Sequence, residues 1–394
     1  MRYDFDQVLD RHGTLSHKWD NMQNAFPDNP AAIPFWVADT DFACPRPIVE
    51  AVRKRAEHPI YGYSDISEQS PRLVADWQKR NGWEVDPSWV IFSNGVVPTL
   101  SAIVETFTEA KDGVIIQPPV YYPIREVVEN NGRKVIENHL ILENGRWGID
   151  FEQLARQAKD PDNTLMILCH PLNPVSRVLD KEELRQIGQI CLENHLILVV
   201  DEIHSDLVFP HKTFYSLAGL DKCYEKITVT AVAPSKTFNI AGLQTSALII
   251  PDRELFDMFQ ETMARKVYIP NLFGAAAFEA AYGDPECEEY LRQLLVYLWD
   301  NYLFLDTYLK ENMPKIRCQK PDATYLLWLD CRELGLDDRE LEIFCLKEGG
   351  IALDAGHWFG KGGSGFMRIN IGCPRSLLEK GLDQLKNAYV KRDF

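Results

Sequence analysis

Three stretches, 164-TLMILCHPLNP-174, 196-LILVVDEIH-204 and 227-ITVTAVAPSKTFN-239, decide the fold. Each opens as a short run of apolar and β-branched residues and closes on polar ones. Runs that carry no alternation fit strands buried on both faces of a sheet. Further strands are expected at 89–92 (WVIF), 113–116 (GVII) and 246–250 (SALII). Helical patterns lie between them, such as 180–194 (DKEELRQIGQICLEN), where Asp180 is placed to cap the helix start ahead of two glutamates. Strand–helix alternation over roughly 170 residues predicts an α/β domain on a mostly parallel sheet.

After about residue 285 the texture changes. A helical stretch at 288–312 leads to 324–330 (TYLLWLD), 350–354 (GIALD), 365–371 (GFMRINI) and a closing helix at 377–390. The expected division is a large domain at 48–285 and a smaller α+β domain made of 1–47 and 286–394. A chain of 394 residues is long enough for two such units.

With 45% hydrophobic and 25% charged residues, the composition excludes a disordered chain. Lysine and arginine number 42 against 58 acidic residues, a formal charge of −16, which disfavours nucleic acid or an anionic membrane as partner. The start, MRYDFDQVLDRHG, is charged and lacks the apolar core of a signal peptide. No apolar run approaches the ~20 residues that span a bilayer. Nine cysteines stand singly without a CxxC pair, so neither a metal site nor a disulfide framework is expected. The expectation is a soluble, reduced, cytoplasmic protein.

Ligands of open α/β sheets sit at the carboxyl ends of the strands. Five polar clusters follow the strand runs there. Ser93-Asn94-Gly95-Val96-Val97 is a glycine turn opening a helix near Pro98, whose free N–H groups suit a phosphate. Tyr121 and Tyr122, bracketed by prolines, offer an aromatic platform. Asn173, between Pro171 and Pro174, offers a fixed amide. Asp201 ends an apolar strand, where an unpaired carboxylate is expensive, so it needs a cationic or N–H partner. Lys236 follows a strand in a small, apolar context, where desolvation makes its amine nucleophilic. Each has a plain structural alternative: a turn glycine, loop aromatics, a turn asparagine, a salt bridge or helix cap, a surface lysine. Their shared placement suits a phosphorylated pyridine aldehyde, with Lys236 as the linking amine and Asp201 keeping the ring nitrogen protonated.

The set N-P (173–174), D-E-I-H (201–204) and S-K-T-F-N (235–239) resembles fold-type I pyridoxal-phosphate enzymes of the class I/II aminotransferase family. More narrowly, DRHGT (10–14), VADTDF (37–42), YGYS (61–64), GVVP (95–98) and RINIGCPR (368–375) are similar to the MalY/PatB-type cystathionine β-lyases. The likeness runs from about residue 3 to about 390. It implies pyridoxal 5′-phosphate as cofactor and Lys236 as the Schiff-base lysine and proton-transfer base. Asp201 is implied on the pyridine nitrogen, Asn173 with His204 on the phenolic oxygen, and Tyr121 stacked on the ring. The backbone of Val96 and Val97, with Ser235, is implied on the phosphate. Tyr63 is implied to reach a neighbouring subunit's cofactor in a homodimer, and Arg368, with Ala38 nearby, to hold the substrate.

Three positions depart from the pattern. Ala233 stands where many relatives carry a serine three residues before the lysine. Gln244 replaces the arginine usual in aminotransferases eight residues after it, a loss shared with the β-lyases. Ser176 replaces the glycine of N-P-x-G. The resemblance implies α,β-elimination on L-cystathionine or a cysteine S-conjugate, giving thiol, pyruvate and ammonia. The alternatives are an aminotransferase, or a regulatory protein that retains the fold. Aromatic segments near Trp19, Phe35-Trp36 and 266–273 (KVYIPNLF) are expected to line the substrate pocket or to pack in the core.

Overall fold

The computed structural model describes residues 2–266, Tyr268 and 270–394. Val267 and Ile269, in the expected aromatic segment 266–273, lie outside the described residues.

Seven strands form the larger sheet: β1 (Val90–Ser93), β2 (Gly113–Ile116), β3 (Lys134–Glu137), β4 (Asn163–Cys169), β5 (Ile197–Asp201), β6 (Thr228–Val232) and β7 (Ser246–Ile249). Their spatial order is β1-β7-β6-β5-β4-β2-β3. Only β7 runs antiparallel to its neighbours; every other pairing is parallel. Alternation along the strands explains why they read as continuous apolar runs. Leu165, Ile167, Cys169 and Val199 enter one core with the helix Val96–Phe107. Met166, Leu168, Leu198 and Val200 enter another with the helix Lys181–Glu193. Both faces are covered, so neither can be polar.

Asp180 caps that second helix as expected, its carboxylate accepting from the N–H groups of Glu182 and Glu183, each at 3.0 Å. The Glu183 side chain returns the bond to the Asp180 N–H at 2.9 Å. Such a box contributes about 1 kcal/mol.

The C-terminal part carries a second, antiparallel sheet of β8 (Arg317–Cys318), β9 (Leu326–Asp330), β10 (Asp354–Ala355) and β11 (Phe366–Asn370), in the order β8-β9-β11-β10. A 28-residue helix, Pro285–Asn312, precedes it and starts three residues before the expected position. Asp284 caps it and proline occupies its first turn, where a missing N–H is harmless. The N-terminal arm joins this part: Ile33–Pro34 pairs in parallel with Ile351–Ala352.

Two features differ from expectation. β3 (KVIE) is a half-buried edge strand whose charged ends hide it among polar residues. The hairpin Leu140–Glu143/Arg146–Ile149 turns on Asn144 and Gly145, both at positive φ. Asn-Gly flanked by apolar residues is the strongest short hairpin signal. No described helix is long and apolar enough to cross a membrane.

Candidate active site

One cavity of about 210 Å³ opens at the carboxyl ends of β1, β4, β5 and β6. It brings together nine of the eleven expected residues: Ala38, Val96, Val97, Tyr121, Asn173, Asp201, His204, Ser235 and Lys236. Arg368 is buried beside it against Asn173. Tyr63 is elsewhere, on a fully exposed loop of this protomer.

One end of the cavity is built by β1 and the helix after it. Ser93 Oγ meets Ser246 Oγ at 2.8 Å, and Ser246 Oγ accepts from the Gly95 N–H at 3.1 Å. Gly95 sits at φ +97°, a conformation few side chains tolerate, and the helix begins at once at Val96, two residues earlier than expected. No side chain caps this helix start, and a Cβ on Gly95 would point into open space. Uncapped N–H groups beside an empty cradle fit an anion. Asn94, whose buried Oδ1 has no partner among the described residues, and Gln244, in left-handed backbone at φ +44°, also line the cavity.

Across the cavity, Tyr121 is anchored by its own N–H, which donates to the Asn173 carbonyl at 3.1 Å. Burial pushes its hydroxyl up to about 12, so it is a neutral donor. Asp201 ends β5 with one carboxylate oxygen accepting from the Ile203 N–H at 3.1 Å. Among the described residues no cation bonds it directly. Burial therefore raises it to about 6, although Lys236 pulls the other way. His204, buried in the same wall, is pulled down to about 3 and stays neutral; its Nδ1 has no partner among the described residues.

Lys236 donates from Nζ to the Ala38 carbonyl at 2.8 Å. Burial lowers its pKa to about 8; Asp39 and Asp201 oppose the shift, while Arg368 adds to it. The loop that presents Ala38 is clamped from three sides. Asn370 Nδ2 donates to the Val37 and Asp39 carbonyls, both at 2.6 Å. Asn239 Nδ2 donates to the Thr40 and Phe42 carbonyls at 2.8 and 3.1 Å. The buried ammonium of Lys18 lies 2.7 Å from Asp41, which also accepts from Trp19 Nε1 at 2.8 Å. Trp19 is thus part of this clamp, and Phe35 is core; Trp36 supplies its carbonyl to Arg368.

A depressed amine, a carboxylate, an aromatic face, an amide and an uncapped helix start around one cavity are the donor set for a phosphorylated pyridine aldehyde. His204 Nδ1, buried and without a partner among the described residues, fits a polar group of such a ligand.

Comparison with known proteins agrees. Residues 36–385 match the family described as aminotransferase class I and II. The chain belongs to that family. Among its members, cystathionine β-lyase PatB of Bacillus subtilis is 43% identical over 98% of this chain and 99% of its own. Protein MalY of Escherichia coli is 31% identical over 98% of each. The solved structure of cystalysin from Treponema denticola, which contains a pyridoxal 5′-phosphate cofactor, superposes with a TM-score of 0.95 at 34% identity, covering 99% of this chain and 100% of that one. The larger sheet with its helix layers is the fold-type I architecture of this aminotransferase family.

Sequence reasoning named Asn94 only as part of the glycine turn, and it missed Thr245 and Asp354 as members of the site or its wall. Thr245 gave a signal, since it directly precedes the apolar run at 246–250. Asp354 gave none, because its partner lies on another strand.

Proposed function

We propose that this protein is a pyridoxal-phosphate-dependent carbon–sulfur β-lyase acting on L-cystathionine or related cysteine S-conjugates. The observation that carries this reading is the convergence of Lys236, Asp201 and the uncapped helix start on one cavity, in a chain that matches a cystathionine β-lyase over 98% of its length.

When bound, the cofactor supplies an electron sink for the charge that develops at the substrate's α-carbon. Asp201, ionised above about pH 6, holds a proton on the ring nitrogen. Asn173 and His204 orient the phenolic oxygen, and Tyr121 offers its ring as a stacking face. The Val96 and Val97 N–H groups and Ser235 take the phosphate. Lys236 Nζ would link the cofactor and, as the free amine, would take the substrate's α-proton. Arg368 holds the α-carboxylate, with Ala38 flanking the bound amino acid. The Tyr121 hydroxyl, neutral through its burial, would give a proton to the departing sulfur. The carbon–sulfur bond breaks with its electron pair on sulfur, and water converts the three-carbon fragment to pyruvate and ammonia.

The cavity itself contains no cation but Lys236, and Gln244 stands where aminotransferases carry arginine. That supports a lyase over a transaminase, while the full exposure of Tyr63 on this protomer supports its reaching the phosphate site of a neighbouring subunit in a homodimer. The nine free cysteines support a reducing, cytoplasmic setting. The proposed units remain 48–285 for cofactor binding and 1–47 with 286–394 for the smaller domain. Incubation with cystathionine tests the function: pyruvate should form with wild type and fall to background with Lys236→Ala. Accumulation of a stable pyridoxamine form on adding amino acid, without pyruvate, would instead establish transamination.

A further inference from the structure

Arg368 does not wait for substrate with a free charge. Asp354 on β10 lies directly opposite Arg368 on β11 in the antiparallel register. Residues so paired leave the sheet on one face with Cβ atoms roughly 5 Å apart, so the strand register itself brings this acid to this base. Both are 2% exposed, and the Asp354 carboxylate accepts from Arg368 Nη2.

The guanidinium is otherwise held by neutral groups. Nη2 also donates to the Trp36 carbonyl at 3.0 Å, and Nη1 donates to Asn173 Oδ1 at 3.1 Å. The ring of Phe359 lies 4.9 Å from the guanidinium carbon. Nε is buried and has no partner among the described residues. The group is therefore fixed in plane, keeps an unused donor, and is already neutralised by a carboxylate. A second carboxylate arriving from the substrate must share a cation that is taken.

We propose that Asp354 is a positioning residue that sets the affinity for the substrate's α-carboxylate: it fixes the Arg368 guanidinium and competes with the substrate for its charge. This rests on the assignment of Arg368 as the carboxylate anchor. Removing the Asp354 charge while keeping an acceptor leaves a buried arginine without a counter-ion, and such a group binds an incoming anion more tightly. The effect is confined to ligands that carry a carboxylate.

The test uses the holoenzyme and two probes that differ only in that group, L-alanine and ethylamine, titrated through the cofactor absorbance. In Asp354→Asn, alanine should bind about tenfold more tightly while ethylamine changes less than about twofold, the selectivity of a single desolvated charge. With cystathionine, KM should fall more than kcat. Asp354→Ser, smaller but also a neutral acceptor, should move alanine in the same direction. Unchanged or weaker alanine binding in both variants overturns the proposal, and so does failure of both to fold with cofactor, which would make the pair purely structural. Arg368→Met separates this outcome from failure of the anchor assignment. It should abolish the preference for alanine over ethylamine, and a preference that survives removes the anchor itself.

Discussion

Recombination of the cofactor-free protein with pyridoxal phosphate reads the Lys236 amine directly. Only the neutral amine attacks an aldehyde, so the rate follows its population. Burial brings this amine from 10.5 down to about 8. At pH 7 a lysine at 10.5 is about 0.03% neutral, whereas one at 8 is about 9% neutral, a gain of roughly 300-fold. Stopped-flow absorbance near ~420 nm, the region of a protonated lysine–cofactor link, should show a rate rising tenfold per pH unit to about 8 and levelling above it. Borohydride reduction and peptide mapping should place the bond on Lys236. In Arg368→Met the levelling point should move upward, because a repelling positive charge is gone. A rate that climbs steadily to pH 10, or a bond on another lysine, refutes the sheltered amine.

Three further outcomes follow from the same geometry. Folded Asp201 keeps its proton to about pH 6, whereas the unfolded chain releases it near 3.8; its contribution to cofactor-free stability is thus present below 3.8 and lost as pH rises through 6. Asp201→Asn should gain on wild type over that interval by up to about 3 kcal/mol, read as the difference in Tm at pH 4 and pH 7. Gly95→Ala forces a side chain into positive-φ backbone beside the uncapped helix start; it should cost about 1–3 kcal/mol of stability and weaken cofactor affinity at least about tenfold, measured by equilibrium titration. Asn239→Ala removes the amide that ties Lys236's own loop to the Thr40 and Phe42 carbonyls. It should lower Tm by the equivalent of about 1–3 kcal/mol and shift the recombination profile, since Ala38 then holds the amine less firmly.

The parts of the fold legible in the sequence are those where burial acts on every residue of a run. β4, β5 and β6 are enclosed on both faces, so their apolar character is uninterrupted, and the polar residues closing them mark the cavity. Lys236 and Asp201 stand out because a charge at such a strand end is costly without a partner. β3 was hidden because an edge strand is half solvated and can afford lysine and glutamate. The Asn144-Gly145 hairpin carries a local signal of its own, outside the parallel sheet. What stayed invisible is long-range: the bond from Lys236 to Ala38 spans 198 positions, and the Arg368–Asn173 contact spans 195. The pairing of Asp354 with Arg368 depends on the register of two strands, which no single run of residues displays.

Simultaneous assay of pyruvate and free thiol from L-cystathionine, with wild type and Lys236→Ala side by side, bears most directly on the chemistry. Wild type should release the two products in equal amounts and retain its absorbance, and the alanine variant should release neither above background. Thiol-free turnover with the amino group transferred to the cofactor, or pyruvate production undiminished in Lys236→Ala, would contradict elimination at this lysine.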